Sequence, residues 1–292
     1  MKKKQSVPGQ PLLGTHVSSA GGMAKALDRA ESIECLAMQV FVKGNTRWQW
    51  PEPKPDDVAE FSRRIGESKV KAVVAHAIYL VNLCATNAEF ARKSVEDMVD
   101  ELTRCDLYGI PGVVMHPGSH CGAGLEAGIE QIAAALNVIL ERTPKGRSRI
   151  LLETTAGQGS SVGSKLEHLA AIIRRVKRKE RLGVCVDTCH LFASGYELRT
   201  REGYDAFWSE FDEFIGLDQL CAIHINDSKK GLGSHVDRHE HIGQGELRLE
   251  PFRMLVNDAR FRHVPMILET EKDPDMKQDV ENLAVLRGLL TA

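Results

Sequence analysis

The chain has 292 residues, 42% of them hydrophobic, and a formal net charge of −2, enough for one large core and without the global positive field that draws a protein to nucleic acid. No run of about 18 apolar residues occurs, the richest stretch, Ala72–Ala85, being interrupted by His76 and Asn82, so no membrane span is expected. Seven scattered cysteines with no CxxC pair read as reduced thiols, and the basic start Met1-Lys2-Lys3-Lys4 lacks the apolar block of a signal peptide, so a cytoplasmic protein is expected.

In chain order, residues 1–11 are expected to form a flexible extension. Short apolar, β-rich segments then recur at Leu13–Val17, Leu36–Val40, Ala72–Ala77, Gly112–His116, Ile150–Glu153, Gly183–Asp187, Ala222–Ile225 and Pro265–Glu269. Longer stretches with helical spacing lie between them, among them Ala88–Leu107, Leu125–Leu140, Lys165–Lys177 and Tyr204–Ile215. Such alternation builds a parallel sheet, and eight segments leave about 36 residues per unit, the size of a βα repeat. The expected fold is α/β, a closed (β/α)8 TIM barrel forming a single domain over residues 1–292. The basic run Arg174–Lys179 ends a predicted helix ahead of the sixth strand and reads as a solvated helix end at the bottom of the barrel. Cys185 and Cys189 read as small residues filling the barrel.

Side chains of the metal-binding type fall at the ends of these segments: His76, His116, Glu153, Asp187, His224 and Glu269 close six consecutive strands. In a closed parallel barrel the C-terminal strand ends converge on one mouth, so residues remote in sequence face a common centre. A lone His or Glu at a strand end is more often a capping or rim residue. Six ionisable groups packed together repel or need neutralising unless cations sit among them. His190, Asp237 and His239 enlarge the set, Asp237 and His239 pointing the same way if their segment is extended. Five imidazoles and four carboxylates suit zinc better than magnesium, which prefers oxygen shells, with manganese or iron as substitutes; nine ligands suit two or three ions sharing a bridging carboxylate.

The strings Gly14-Thr15-His16-Val17-Ser18, Met115-His116-Pro117-Gly118-Ser119-His120, Glu153-Thr154-Thr155-Ala156-Gly157-Gln158-Gly159, Val186-Asp187-Thr188-Cys189-His190 and His224-Ile225-Asn226-Asp227-Ser228 are similar to those of endonuclease IV, the zinc-dependent apurinic/apyrimidinic endonuclease. Gly233–His239 and Ile267–Thr270 match too, and the resemblance runs from about residue 12 to residue 288. It implies a xylose-isomerase-like TIM barrel with three zinc ions. His76 and His116 would hold one, Glu153 would bridge it to a second bound by Asp187, His224 and Glu269, and His190, Asp237 and His239 would hold the third. The implied reaction is hydrolysis, by metal-activated water that Glu153 orients, of the phosphodiester 5′ of an abasic site in duplex DNA, with trimming of blocked 3′ ends.

An abasic nucleotide has lost pairing and stacking and is cheaper to rotate into a pocket. The resemblance places Tyr79 and Asn82 in a DNA-contacting loop, Tyr79 filling the space left by the extruded residue. Lys43-Gly44-Asn45-Thr46-Arg47-Trp48 combines cations, glycine and an aromatic, as suits phosphate contacts, with Arg47 the residue carried over from the family. Gly157–Ser160 reads as a tight turn opening the helix after strand five, its amides free to approach a phosphate. His16, His120, His235 and His241 stay outside the nine, expected behind the ligands or at the rim, with no metal assigned to them. Two other readings fit fewer features: a metal-dependent sugar isomerase or epimerase on a similar barrel, needing fewer ligands, and a metal-stabilised protein that binds damaged DNA without cutting. A monomer is expected.

Overall fold

The fold is known from a computed structural model that describes residues 9–291. Eight parallel strands close into a barrel: β1 (Leu12–His16), β2 (Ala37–Val40), β3 (Ala72–His76), β4 (Gly112–Met115), β5 (Arg149–Glu153), β6 (Leu182–Asp187), β7 (Leu220–His224) and β8 (Pro265–Leu268). Each strand pairs with its sequence neighbours, and β8 returns to β1 with Leu12 opposite Pro265 and Thr15 opposite Leu268. All eight predicted segments are strands, displaced at their ends by one or two residues, as fraying ends are. Of the N-terminal extension, residues 1–8 lie outside the described residues, and Pro11 is already buried.

Around the barrel run α1 (Met23–Ser32), α2 (Pro55–Ile65), α3 (Ala88–Tyr108), α4 (Leu125–Arg142), α5 (Leu166–Arg175), α6 (Thr188–Ala193), α7 (Arg201–Phe214), α8 (Glu250–Val256) and α9 (Lys277–Gly288). Local chemistry sets several ends. Asn87, Asp187 and Thr200 accept from backbone N–H groups in the first turns of α3, α6 and α7, and Gly109, left-handed at φ 68, stops α3. The basic run after α5 is paired with acids in water, Lys177 with Glu141 and Arg178 with Glu180 at 3.1 Å each, on the side where β6 begins. No helix among the described residues is long and apolar enough to cross a membrane.

The strands are apolar on both faces because both are covered. One face packs on the helices, where residues such as Met38, Val73, Val113, Leu152 and Val186 join the main core. The other fills the barrel with a separate layer drawn from seven strands: Ala37, Val74, Val114, Leu151, Cys185, Ala222 and Ile267, with Leu12 of β1 against it. The small members let the barrel close over so few side chains. At Gly14 the fit is tighter still, since a Cβ would fall 1.7 Å from the Ala37 carbonyl oxygen of β2. One expectation fails: Gly157–Ser160 does not open a helix. The chain runs on through Ser161–Val162, which pairs with Gly118–Ser119, and α5 starts only at Leu166.

Candidate metal centre

Side chains alternate along a strand, so two residues beyond each interior position the next side chain also faces inward, one layer nearer the mouth. Applied to the apolar layer, that step reaches Gln39, His76, His116, Glu153, Asp187, His224 and Glu269. Six are the strand-end ligand candidates; Gln39, the contribution of β2, escaped sequence reasoning. β1 adds His16 at the same height.

The candidates fall into clusters with ligand atoms within 4.8 Å of one another: His76, His116 and Glu153; then Glu153, Asp187, His224 and Glu269; then His239 with Asp187 and His190, or with Asp237 and Cys189. Glu153 sits at the junction, its Oε2 3.3 Å from His76 Nε2 and 3.2 Å from His116 Nε2, its Oε1 2.9 Å from His224 Nδ1. His224 Nδ1 also lies 3.1 Å from Glu269 Oε2. In the remaining group Asp237 Oδ1 stands 3.2 Å from His190 Nε2 and 3.5 Å from His239 Nε2, which is 3.4 Å from Asp187 Oδ2. Asp237 and His239 reach this point because His239–Glu240 pairs antiparallel with Asp227–Ser228, folding their loop over the mouth.

These residues fit cations on three physical grounds. The separations match the edge, about 3.3 Å, of a tetrahedron of ligands about 2.0–2.1 Å from a zinc ion. Four imidazoles have their outward nitrogen held: His76 Nδ1 by Ala77 O at 2.7 Å, His190 Nδ1 by Thr154 O at 2.8 Å, His239 Nδ1 by Glu269 O at 3.1 Å, and His224 Nε2 by Gln39 Oε1 at 2.8 Å. In a neutral ring each bond makes the outward nitrogen the N–H and leaves a lone pair for a cation at the centre. The inward Nε2 atoms of His190 and His239 are buried without a hydrogen-bond partner, which positive charge between them would satisfy.

The clustered groups also act strongly on one another. Burial pushes the Glu153 carboxyl up, but the charges of His224 and His116 outweigh it and hold Glu153 well below the usual range; in Glu269 burial is likewise overcome, chiefly by His224. Burial works against charge on His190, yet Asp187, Asp237 and Glu153 raise it well above an ordinary imidazole. Asp237 is lowered to about 2, His190 and His239 overcoming its burial. The thiols of Cys185 and Cys189 are driven by burial to about 12 and stay protonated, so Cys189, though near Asp237 and His239, has little thiolate to offer.

A cavity of about 1150 Å³ opens from this centre toward the β1 and β2 loops, with His16, Phe41, Trp50, Tyr79, His116 and Lys272 in its wall. Tyr79 is 72% exposed, its ring edge-on to Phe41 at 5.5 Å. Arg47 is exposed and lies over Trp50 at 4.3 Å. The Asn82 amide is committed within the protein: it donates to Ser119 O, and its oxygen accepts from the Ser119 and Cys84 amides, fastening the β3 loop to the β4 loop. Lys43 corrects the reading of its loop. It is 4% exposed, with Nζ bonded to Asp97 at 2.5 Å, Asp100 at 3.0 Å and Trp48 O at 3.2 Å, so it anchors the loop to α3 and meets no phosphate. Arg104 of α3 helps by donating to the Trp50 and Pro51 carbonyls.

Two further buried residues went unread. Asn226 donates to Asp187 Oδ2 at 2.8 Å and accepts from the Glu269 amide at 2.7 Å. Asp227 gathers the backbone N–H groups of Ser228, Gly243, Gly245 and Leu247, tying down both ends of the loop that carries Asp237 and His239. The string His224–Ser228 contains both, but spacing alone does not tell a ligand from its support. Of the other histidines, His120 accepts from the Gly124 amide, His235 meets Ala156 O, and His241 meets Asn282.

Comparison with known proteins places this geometry in a context. The family model described as xylose isomerase-like TIM barrel matches residues 27–289. A protein of Chloroflexus aggregans named "Probable endonuclease 4" is 45% identical over 280 residues, 96% of this chain and 98% of that one. Its namesake in Geobacter sulfurreducens is 48% identical over 278 residues, 95% of this chain and 94% of that one. Among solved structures, endonuclease IV from Thermus thermophilus superposes with a TM-score of 0.83 at 36% identity, covering 96% of this chain and 98% of that one.

Proposed function

We propose a function from the premise that this chain belongs to the xylose isomerase-like TIM-barrel family and, within it, to endonuclease IV: it is a DNA-repair endonuclease, a hydrolase. Its finer reading is a zinc-dependent enzyme, in one domain and as a cytoplasmic monomer, that cuts duplex DNA on the 5′ side of an abasic site and trims blocked 3′ ends. The observation that carries the reading is the inward ring of His76, His116, Glu153, Asp187, His224 and Glu269 with the loop residues Asp237 and His239 closed over His190.

His76 and His116 would hold one ion with Glu153, Asp187, His224 and Glu269 would hold a second with it, and His190, Asp237 and His239 would hold the third. Bound there, such ions supply Lewis acidity toward phosphate oxygens and lower the pKa of water. The chain supplies the rest. Glu153, fully buried at the junction of two groups, is placed to orient attacking water toward phosphorus. Tyr79, exposed beside the cavity, takes the place of the missing base, and Arg47 steadies the backbone from the β2 loop. Asn82 acts by holding the β3 loop against the β4 loop.

The test is a duplex carrying one tetrahydrofuran abasic analogue, incubated with metal-replete protein before and after chelation. Incision 5′ of the analogue that chelation abolishes is expected, and intact duplex with replete protein would refute the reading. Glu153→Gln is expected to bind the duplex and lose cleavage. Metal analysis is expected near three equivalents; a single equivalent would favour a sugar isomerase on the same barrel.

A further inference from the structure

We propose that Gln39 is a positioning residue for the group Glu153, Asp187, His224 and Glu269: its amide fixes which nitrogen His224 turns to that group. The inference rests on the metal-dependent reading above. Gln39 is fully buried at the one ring position that no ligand type fills. Its Nε2 lies 2.5 Å from Glu269 Oε1 and 3.0 Å from His16 Nδ1, and its Oε1 lies 2.8 Å from His224 Nε2.

The orientation of the amide follows from its partners. An ionised carboxylate only accepts, so the NH2 must face Glu269, and the carbonyl is left for His224. His224 Nε2 must then be the N–H. A cation-ligating imidazole is neutral and has only one, so with an ion bound Nδ1 would present its lone pair beside Glu153 Oε1, 2.9 Å away, and Glu269 Oε2, 3.1 Å away. With the amide turned over, its oxygen would face the Glu269 carboxylate, and His224 would point an N–H where a cation belongs.

His224 differs from its neighbours in one respect. His76, His190 and His239 take their tautomer from backbone carbonyls, of Ala77, Thr154 and Glu269, which no side-chain substitution removes. His224 takes it from a side chain. Gln39 also links this group to the cavity wall, since the His16 ring it holds packs on Phe41 at 4.4 Å.

The test uses zinc-loaded full-length chain as wild type, Gln39→Leu and Gln39→Glu. Long-range proton–nitrogen spectra of the wild type are expected to show the His224 ring protonated at Nε2. Chelator competition is expected to show one zinc equivalent held about 10–100-fold more weakly in Gln39→Leu, the usual effect of losing a partner of a ligating histidine. Gln39→Glu keeps an acceptor for His224 but faces Glu269 with a second carboxylate. It should keep the Nε2–H signal while releasing zinc more readily than wild type. A wild-type His224 bare at Nε2 overturns the proposal, whether or not the variants fold, and so does Gln39→Leu with unaltered zinc affinity. Wild-type chain that takes up no zinc overturns the metal reading itself, and this inference with it.

Discussion

Lys43 sits in a loop whose composition suggests phosphate binding, yet its ammonium is enclosed by Asp97, Asp100 and the Trp48 carbonyl. Lys43→Met separates anchoring from contact. Breaking a buried pair by removing one partner costs about 3–5 kcal/mol, because a buried charge is left alone. Asp97 is already raised by burial to about 6 with Lys43 opposing the shift, so it escapes part of that cost by taking a proton, which puts the loss near the lower end, about 3 kcal/mol. Lys43→Met with Asp97→Leu should recover most of it, since the Asp100 that remains is only half-buried and still pairs with Arg104 at 2.8 Å. Urea denaturation reads the stability, and incision of an abasic duplex between about 50 and 200 mM salt reads the role. An anchor raises KM by loosening the loop and leaves the dependence of log affinity on log salt unchanged. A phosphate contact would lower that slope by about 0.9 for the lost charge. Stability within about 0.5 kcal/mol of wild type together with such a drop would refute the anchoring role.

Glu101 of α3 is driven by burial to about 8 while its Oε1 accepts from the Ile78 amide. Its folded pKa is thus above its unfolded value of about 4.3, and its contribution to stability, full below that value, is lost as pH rises through about 8. Glu101→Gln should match wild type near pH 4 and exceed it by a few kcal/mol near pH 8; denaturation curves with parallel pH dependence would count against this. Tyr79→Ala removes an exposed ring, so melting should stay within about 0.5 kcal/mol of wild type while affinity for an abasic duplex falls about tenfold, and unchanged affinity would remove Tyr79 from the interface. Asp227→Ala strands four backbone donors and should cost about 3 kcal/mol or more, with one metal equivalent lost first on dialysis as the Asp237–His239 loop loosens; full retention of metal would show the loop is held otherwise.

The barrel was legible because its strands are short apolar runs at even spacing, and six candidates could be read because each ends such a run. Gln39 was hidden by its own chemistry: an amide inside Leu36–Val40 carries no ligand signal, and its meaning lies in His224, 185 positions away. α9 was hidden by mixing on its faces, since polar residues are buried there beside Leu283 and Leu286. Asp279 and Asn282 point inward, to Thr15 and to the Ile242 amide, while Val280 and Val285 are exposed, so apolar periodicity is blurred. Lys43 misled because composition cannot tell a cation facing water from one facing Asp97. The loop anchored by Asp227 was opaque for a related reason: its four bonds run to backbone amides, which every sequence possesses.

The apolar layer inside the barrel and the ligand ring above it are two rungs of a single ladder. The pleat is therefore the ruler on which the site is spaced. A slip of one residue in β3 would turn His76 toward the helices and offer an alanine, Ala75 or Ala77, in its place, whereas lengthening the connection between β3 and β4 would leave both ligands where they are. Spacing that resides in strand register tolerates changes of length in connections that carry no ligand and forgives no insertion within a strand. Apart from the loop that carries Asp237 and His239, the loops are thereby free to diverge, while the chemistry beneath them stays tied to the closure of the barrel.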